Sequence, residues 1–172
     1  VVAANMGRSP MHPDEVAMML DKALERDAIT VHENYSHENT SLFRSLLDYG
    51  PTTKKRIGVS GGSLGWGIGA AIGAKIAQPN RQVALSIGDG SVMYSAAGFW
   101  TMARYGVPVL VIVYNNRNYQ IVRHGFARFD GRMNKQQQFP GLYLGDPDID
   151  FPMLAKAYGL AGIRVGLLVG PP

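Results

Sequence analysis

The sequence predicts an α/β fold, a doubly wound and mainly parallel sheet with helices on both faces. Two apolar runs, at residues 83–87 and 107–114, have the length of buried strands, and a helix-length segment joins them. Such a βαβ unit has a right-handed crossover, so its two strands are parallel. The composition agrees, because 46% hydrophobic residues and 21 glycines suit a glycine-punctuated sheet of 172 residues. We therefore expect one domain covering residues 1–172.

Shorter elements precede this unit. Helices are expected at 13–26, 41–47 and 64–78, and strands at 28–31 and 56–59. In the last of these helices Gly65, Gly69 and Gly73 recur every fourth residue, which places small side chains along one stripe of its surface. That stripe predicts close packing against a neighbouring helix.

Other features lie within and after the unit. An aromatic and apolar stripe at 98–105 indicates a core or subunit-interface face, and we favour the interface. Residues 119–126 are expected to form a helix over the mouth of the site, and the polar stretch 128–138 a mobile flap. Asp150 is placed to cap a last helix that ends at Gly159.

Charge and composition argue against several classes of protein. The net charge is +4, but the 17 basic residues are scattered, and their one tight cluster, at 54–56, is typical of a solvated strand edge. The aromatic residues are not placed for stacking on bases, so we expect no nucleic-acid partner; salt-sensitive binding would mark that alternative. Without cysteine there is no disulfide, and no apolar run is long enough for a membrane span. No signal peptide is visible, so the cytoplasm is the default location.

Oxygen-bearing side chains follow both strands of the unit. Gly88-Asp89-Gly90 ends the first strand, and Asn115-Asn116-Arg117-Asn118 ends the second after an interval of 24 residues. Because carboxyl ends of parallel strands open onto one edge of the sheet, Asp89 and Asn116 are expected to converge there. Mg²⁺ prefers oxygen ligands, and the Asp89 carboxylate, the Asn116 amide oxygen and the Asn118 backbone carbonyl would supply three.

The residues around Asp89 favour a phosphate ligand. Gly88 and Gly90 lack a Cβ, so the backbone can turn sharply and approach phosphate oxygens. Ser91 and the amides after it open a helix, whose N-terminus attracts anions. Together with the metal ligands, this pattern implies a diphosphate carrier.

At these residues the chain resembles the thiamine diphosphate enzymes, whose signature is GDG, an interval of this length and NN. Gly61-Gly62-Ser63-Leu64 resembles the stretch that holds the cofactor's aminopyrimidine in that family. By this resemblance the Gly62 carbonyl accepts from the pyrimidine amino group, the Leu64 amide donates to the ring, and the Leu64 side chain wedges the cofactor into a bent shape. Ser63 and Tyr119 are counted as further cofactor contacts. The pattern at residues 150–159 makes the chain most similar to benzoylformate decarboxylase and acetolactate synthase relatives.

The resemblance also assigns the loop after the strand at 28–31. Asn34 and Ser36 occupy the position where small polar side chains touch the diphosphate. The activating glutamate of the family comes from another domain, so no catalytic residue is expected in this chain. Glu33 and Glu38 are interpreted as solvated or capping groups, and the loop histidines His32 and His37 as solvated.

The implied activity is Mg²⁺-dependent thiamine diphosphate chemistry on a 2-keto acid, by decarboxylation as in benzoylformate decarboxylase. Because the cofactor supplies the carbanion chemistry, no side-chain nucleophile is required. The alternatives are an acetolactate synthase-like carboligase and a non-catalytic module that retains the diphosphate site. Arg123 and His124 either meet a substrate carboxylate or form a solvated basic turn.

The resemblance covers one domain of a family normally built from three. It implies a pyrimidine-binding domain from the same or a partner subunit, a homodimer or homotetramer, and a chain that is nearly inactive alone. The ending departs from the family pattern near Val165-Gly166, where the chain is either truncated or lacks a stretch.

Overall fold

The computed structural model describes residues 6–7, 9, 11–34, 55–58 and 62–160. Its strands are β1 (Ile29–Glu33), β2 (Lys55–Gly58), β3 (Val83–Gly88) and β4 (Leu110–Tyr114). Its helices are α1 (Pro13–Ala23), α2 (Trp66–Ala77), α3 (Asp89–Ser95), α4 (Gly98–Tyr105), α5 (Gln120–Ala127), α6 (Arg132–Gln136) and α7 (Phe151–Ala157). The helix predicted at 41–47, together with Ser36, His37, Glu38 and the Val165-Gly166 junction, lies outside the described residues. Over the described ranges, no helix has the length and apolar character of a membrane span.

The four strands form one parallel sheet in the order β2-β1-β3-β4. Glu33 pairs with Ile87, and Gly88 pairs with Tyr114, so β1, β3 and β4 end side by side. The predicted parallel βαβ unit is confirmed. Its geometry brings the segments that follow these three strands to one edge of the sheet.

Apolar side chains cover both faces of the sheet. Leu85 and Ile87 of β3 belong to a core formed with α2, α3, α4 and α7, whereas Ala84 belongs to a second core with Val16 and Leu24 on and beside α1. Alternate residues of a strand point to opposite faces, so this division follows directly from the pleat. The predicted doubly wound fold with helices on both faces is confirmed.

Four parts of the fold differ from the predicted ones. Strand β1 continues through His32 and Glu33, which the sequence placed in a polar loop; β1 lies between β2 and β3, and all five of its residues are buried. The segment between β3 and β4 forms two helices instead of one, and α6 occupies part of the predicted flap. Strand β4 begins three residues later than predicted, since Pro108 has no N–H to give to a sheet.

Close packing is confirmed at Gly65 of the predicted glycine stripe but not at Gly69 or Gly73, and it also occurs at Gly67, outside the stripe. Among the described residues, no atom lies within 4 Å of a Cβ built on Gly69 or Gly73. By contrast, a Cβ on Gly67 would lie 2.7 Å from Glu33 Oε2, and one on Gly65 2.8 Å from Tyr94 Cβ. The N-terminal end of α2 is therefore the part that needs small residues.

Helix α4 divides its aromatic stripe between core and surface. Phe99 and Met102 are buried, whereas Trp100 and Tyr105 are 53% and 69% exposed. The subunit interface proposed for this stripe stays a prediction, and it now rests on the two exposed rings.

Candidate functional site

Asp89 is buried at the carboxyl end of β3, where α3 begins. Its Oδ1 accepts a hydrogen bond of 2.8 Å from the Gly90 amide. Burial raises the pKa of this carboxyl, and the backbone amides of Gly90 and of residues 116–118 oppose the rise. The backbone after β4 thus faces the Asp89 carboxyl, which is the convergence that the parallel strands predicted.

The asparagine segment after β4 is shaped by its own side chains. Asn115 Oδ1 accepts from the Arg117 amide at 3.1 Å, and Asn116 Oδ1 accepts from the Asn118 amide at 2.9 Å. These are successive Asx turns, in which a side-chain oxygen replaces a backbone acceptor. Arg117 has a φ of 57°, in the left-handed region. An amide oxygen has two lone pairs, so Asn116 Oδ1 keeps one for a further ligand.

A second segment holds this turn from outside. The Tyr119 amide donates to the Leu142 carbonyl at 2.9 Å, and the Leu144 amide donates to the Arg117 carbonyl at 2.7 Å. Asn118 lies between these two bonds and forms an isolated antiparallel bridge with Tyr143. Successive peptide groups of an extended segment point in opposite directions, so the Asn118 carbonyl is turned away from residues 142–144. That is the carbonyl the sequence assigned to the metal.

Several buried polar atoms at this edge make no hydrogen bond of normal geometry within the described residues, although the amides of residues 116–118 are near enough to Asp89 to lower its pKa. They are Asp89 Oδ2, Asn118 Oδ1, and Asn34 Oδ1 and Nδ2. A buried polar group without a partner is costly, and a carboxylate oxygen is more costly than an amide. One carboxylate with neutral amide and carbonyl oxygens is also a donor set suited to Mg²⁺. The residues therefore fit the metal and diphosphate that the sequence implied.

A small cleft gathers most of the predicted cofactor contacts. Nine of the twelve line it: Asn34, Leu64, Gly88, Asp89, Gly90, Ser91, Asn116, Asn118 and Tyr119. Gly62 and Ser63 are exposed and do not line this cleft. Ser36, the twelfth, falls outside the described part of the chain.

The cleft also contains residues that the sequence interpretation missed. Glu33, Tyr114, Gln120 and Ile121 line it as well. Tyr114 is the last residue of the predicted second strand, so a search of strand ends would have found it, whereas Glu33 ends β1 two residues beyond its predicted end. Gln120 and Ile121 begin α5 and carry no comparable local signal.

The interpretation of Glu33 and His32 as loop residues needs correction. Glu33 is fully buried and accepts hydrogen bonds from the Gly65 and Gly67 amides, so of its two predicted roles the capping role is confirmed, at the start of α2, and the solvated role is wrong. His32 is 1% exposed, and its burial, with the nearby Arg56 guanidinium, lowers its pKa from 6.5 to about 3. Both polar side chains are enclosed because β1 is an inner strand of the sheet.

Arg123 and His124 lie on α5 but do not line the cleft. The Arg123 guanidinium carbon lies 5.3 Å from the centroid of the Phe139 ring, a cation–π contact. His124 Nε2 lies 2.8 Å from Gln120 Nε2 on the exposed side of the helix. These contacts favour the solvated alternative for His124 and a packing role for Arg123.

The sequence matches a protein-family model and is similar to several known enzymes. The family model described as "Thiamine pyrophosphate enzyme, C-terminal TPP binding domain" matches residues 46–167. Benzoylformate decarboxylase of Pseudomonas aeruginosa is 34% identical over 155 residues, which are 90% of this chain and 28% of that protein. The acetolactate synthase large subunit of Lactococcus lactis is 30% identical over 158 residues, 90% of this chain and 26% of that protein.

Solved structures of similar enzymes superimpose on this chain. A thiamine diphosphate-dependent 4-hydroxybenzoylformate decarboxylase of Rhodococcus jostii superimposes with a TM-score of 0.72 at 35% identity, over 87% of this chain and 26% of that one. Benzoylformate decarboxylase of Polynucleobacter necessarius superimposes with a TM-score of 0.71 at 27% identity, over 93% and 29% of the two chains. The chain spans between a quarter and a third of the length of these relatives.

Proposed function

The chain belongs to the thiamine pyrophosphate enzymes as their C-terminal TPP-binding domain, and on that premise we propose that it binds the diphosphate of this cofactor through Mg²⁺. The observation that carries the proposal is the group of buried, unpartnered oxygens where β3 and β4 end, among the residues described. Asp89 supplies the negative charge of the metal site, and the Asn116 amide and Asn118 carbonyl supply neutral oxygens.

The remaining cleft residues hold the organic part of the cofactor. Asn34 brings a buried amide with both a donor and an acceptor to the diphosphate side. Leu64 is a half-buried apolar residue that lines the cleft, and it would contact the organic rings of the cofactor. In this arrangement the chain's residues bind and orient the cofactor, which itself supplies the electron sink for cleavage next to a keto group.

The proposed reaction of the complete enzyme is decarboxylation of a 2-keto acid. Support comes from the aromatic 2-keto acid decarboxylases named among its relatives, in sequence and in structure. The second candidate is a carboligase, favoured by the 30% identity to an acetolactate synthase large subunit. The two differ in what adds to the product carbon, a proton or a second keto compound, and product analysis separates them.

The proposed partner is a pyrimidine-binding domain, in the same chain or in a second subunit. The chain spans less than a third of its relatives, and on this proposal the activating glutamate lies outside it. Glu33 is buried against α2, so it is occupied as a cap. Homodimer or homotetramer formation would bring such a domain to the cleft.

A reconstitution assay tests this proposal. With thiamine diphosphate, Mg²⁺ and benzoylformate, the isolated chain should release almost no carbon dioxide, and adding a pyrimidine-binding domain should restore release. Chelation of the metal should abolish the restored activity. Substantial turnover by the isolated chain, or restored turnover that survives either chelation or omission of the cofactor, would refute the proposal.

A further inference from the structure

Glu33 connects three elements of the cleft through one side chain. It is the last residue of β1, and it is fully buried. Its Oε1 accepts from the Gly65 amide at 2.5 Å, and its Oε2 accepts from the Gly67 amide at 2.6 Å. The Ser91 side chain, in the first turn of α3, lies close enough to this carboxyl to lower its pKa. The sheet edge, the start of α2 and the start of α3 therefore meet at Glu33.

The contact is built for a carboxylate. Both oxygens are used by different backbone amides, and these amides lie at the positive end of the α2 helix dipole. No side chain fits at position 67, since a Cβ on Gly67 would lie 2.7 Å from Glu33 Oε2. Burial raises the pKa of Glu33, and the two amides and Ser91 counter that rise. Glutamine has the same size but only one acceptor oxygen. Its NH₂ group would therefore face one of the two backbone N–H groups, donor against donor, and that hydrogen bond would be lost.

Both backbone polar groups of Gly65 make hydrogen bonds. Its N–H donates to Glu33, and its carbonyl accepts from the Ser95 hydroxyl at 2.7 Å. With a φ of 92° it is in the left-handed region, and a Cβ would collide with Tyr94. Leu64 directly precedes this fixed residue, so the direction in which residues 62–64 leave the helix is set by the clamp on Gly65.

We propose that Glu33 is a positioning residue, which fixes the segment 62–64 relative to the diphosphate-binding edge through the Gly65 and Gly67 amides. The proposal rests on the proposed function and refines it: Asp89, Asn116 and Asn118 bind the diphosphate, and Glu33 aligns Leu64 with the rest of the cofactor. Glu33 itself touches neither metal nor cofactor in this assignment.

The test compares two ligands that use different parts of the cleft. Inorganic pyrophosphate with Mg²⁺ needs only the diphosphate-binding edge, whereas thiamine diphosphate with Mg²⁺ needs both that edge and residues 62–64. Both affinities are measured by calorimetry on the full chain, at a temperature where each variant is folded by circular dichroism. Glu33→Gln should weaken thiamine diphosphate binding by roughly tenfold, because one buried hydrogen bond is lost. Pyrophosphate binding should change by less than about twofold, because this ligand does not need residues 62–64.

Two further variants complete the design. Glu33→Asp keeps the charge but is one methylene shorter, so it cannot reach both amides and should show the same selective loss. Glu25→Gln makes the same chemical change at an exposed position. The Glu25 amide donates to the Gln82 side chain just before β3 begins, at the end of the strand away from the cleft, so this variant should change neither affinity.

The outcomes separate failure of the positioning role of Glu33 from failure of the proposed function. Equal weakening of both ligands, or no weakening of either, in folded Glu33→Gln and Glu33→Asp would overturn the positioning role. Failure of both variants to fold would overturn it too, because Glu33 would then be required for the fold as a whole. If the unmodified protein binds neither ligand, the proposed function itself has failed, which is a different result from a selective loss in the variants.

Discussion

The Tyr119 ring lies directly against the backbone of Gly90, so that a Cβ on residue 90 would be 2.4 Å from Tyr119 Cε1. Gly90 lies in the first turn of α3 after β3, and Tyr119 directly precedes α5 after β4. The ring also meets Tyr94 edge to face, with 6.4 Å between the centroids. Burial raises the pKa of Tyr119, with smaller contributions from Tyr94 and Asp89. The two halves of the proposed metal site are therefore in contact through this ring.

Gly90→Ala should displace Tyr119 and disturb the site more than the fold. We expect a loss of stability of about 1 kcal/mol from the added methyl group and roughly tenfold weaker Mg²⁺-dependent cofactor binding. Urea denaturation and calorimetry measure the two effects. In a Tyr119→Ala background, Gly90→Ala should no longer cost stability, because the colliding ring is gone.

Gly69→Ala is the matched control for this change. Its Cβ would meet no described atom within 4 Å, and the residue lies within α2. Alanine is favoured over glycine inside a helix by about 0.5–1 kcal/mol, so this variant should be slightly more stable and bind normally. Normal binding by Gly90→Ala would contradict the coupling of the two halves.

Leu64→Ala should separate binding of the diphosphate from orientation of the cofactor. Affinity for Mg²⁺-pyrophosphate should stay within about twofold of the parent value. Turnover by the reconstituted enzyme should fall roughly ten- to a hundredfold, since small misplacements of reacting groups carry penalties of that size. Leu20→Ala, which shortens a partly buried leucine of the other core, is the control. Full turnover by Leu64→Ala would count against the wedge role.

His32 makes stability depend on pH. Its pKa of about 3 in the folded protein is below the ordinary 6.5, so the folded state favours the neutral ring. The resulting stability is present above pH 6.5 and is lost as pH falls from 6.5 toward 3. Between pH 7 and pH 5 the loss should be roughly 2 kcal/mol from this group.

Urea denaturation at both pH values checks the assignment to His32. His32→Gln should remove that part of the pH dependence, whereas His124→Gln, at an exposed position, should retain it. An unchanged pH dependence in His32→Gln would show that another group is responsible.

Local sequence patterns predicted the parts of the fold that depend on neighbouring residues. The apolar runs before Asp89 and Asn115 gave the two strands, and parallel pairing then brought Asp89 toward residues 116–118. The Asp150 cap also followed from local pattern, and its carboxylate accepts from the Met153 amide at 2.9 Å. These features need no knowledge of distant contacts.

Most of the missed site features depend on contacts between distant parts of the chain. His32 and Glu33 are buried because other strands flank β1, which nothing in their immediate surroundings indicates. The bonds that join Leu142 and Leu144 to the turn at Arg117 cross more than 20 residues, without a regular strand on either side. Glycine spacing in α2 likewise gave no indication that the close contact would be at Gly67.

The most direct test of the central claim is calorimetric titration of thiamine diphosphate into the complete protein, first with Mg²⁺ and then with a chelator, for the parent and for Asp89→Ala. We predict that the parent binds only in the presence of the metal. Asp89→Ala should lose this Mg²⁺-dependent binding while remaining folded by circular dichroism. Equal binding by variant and parent, or parent binding that the chelator leaves unchanged, would contradict the assignment of Asp89 to a metal-bound diphosphate.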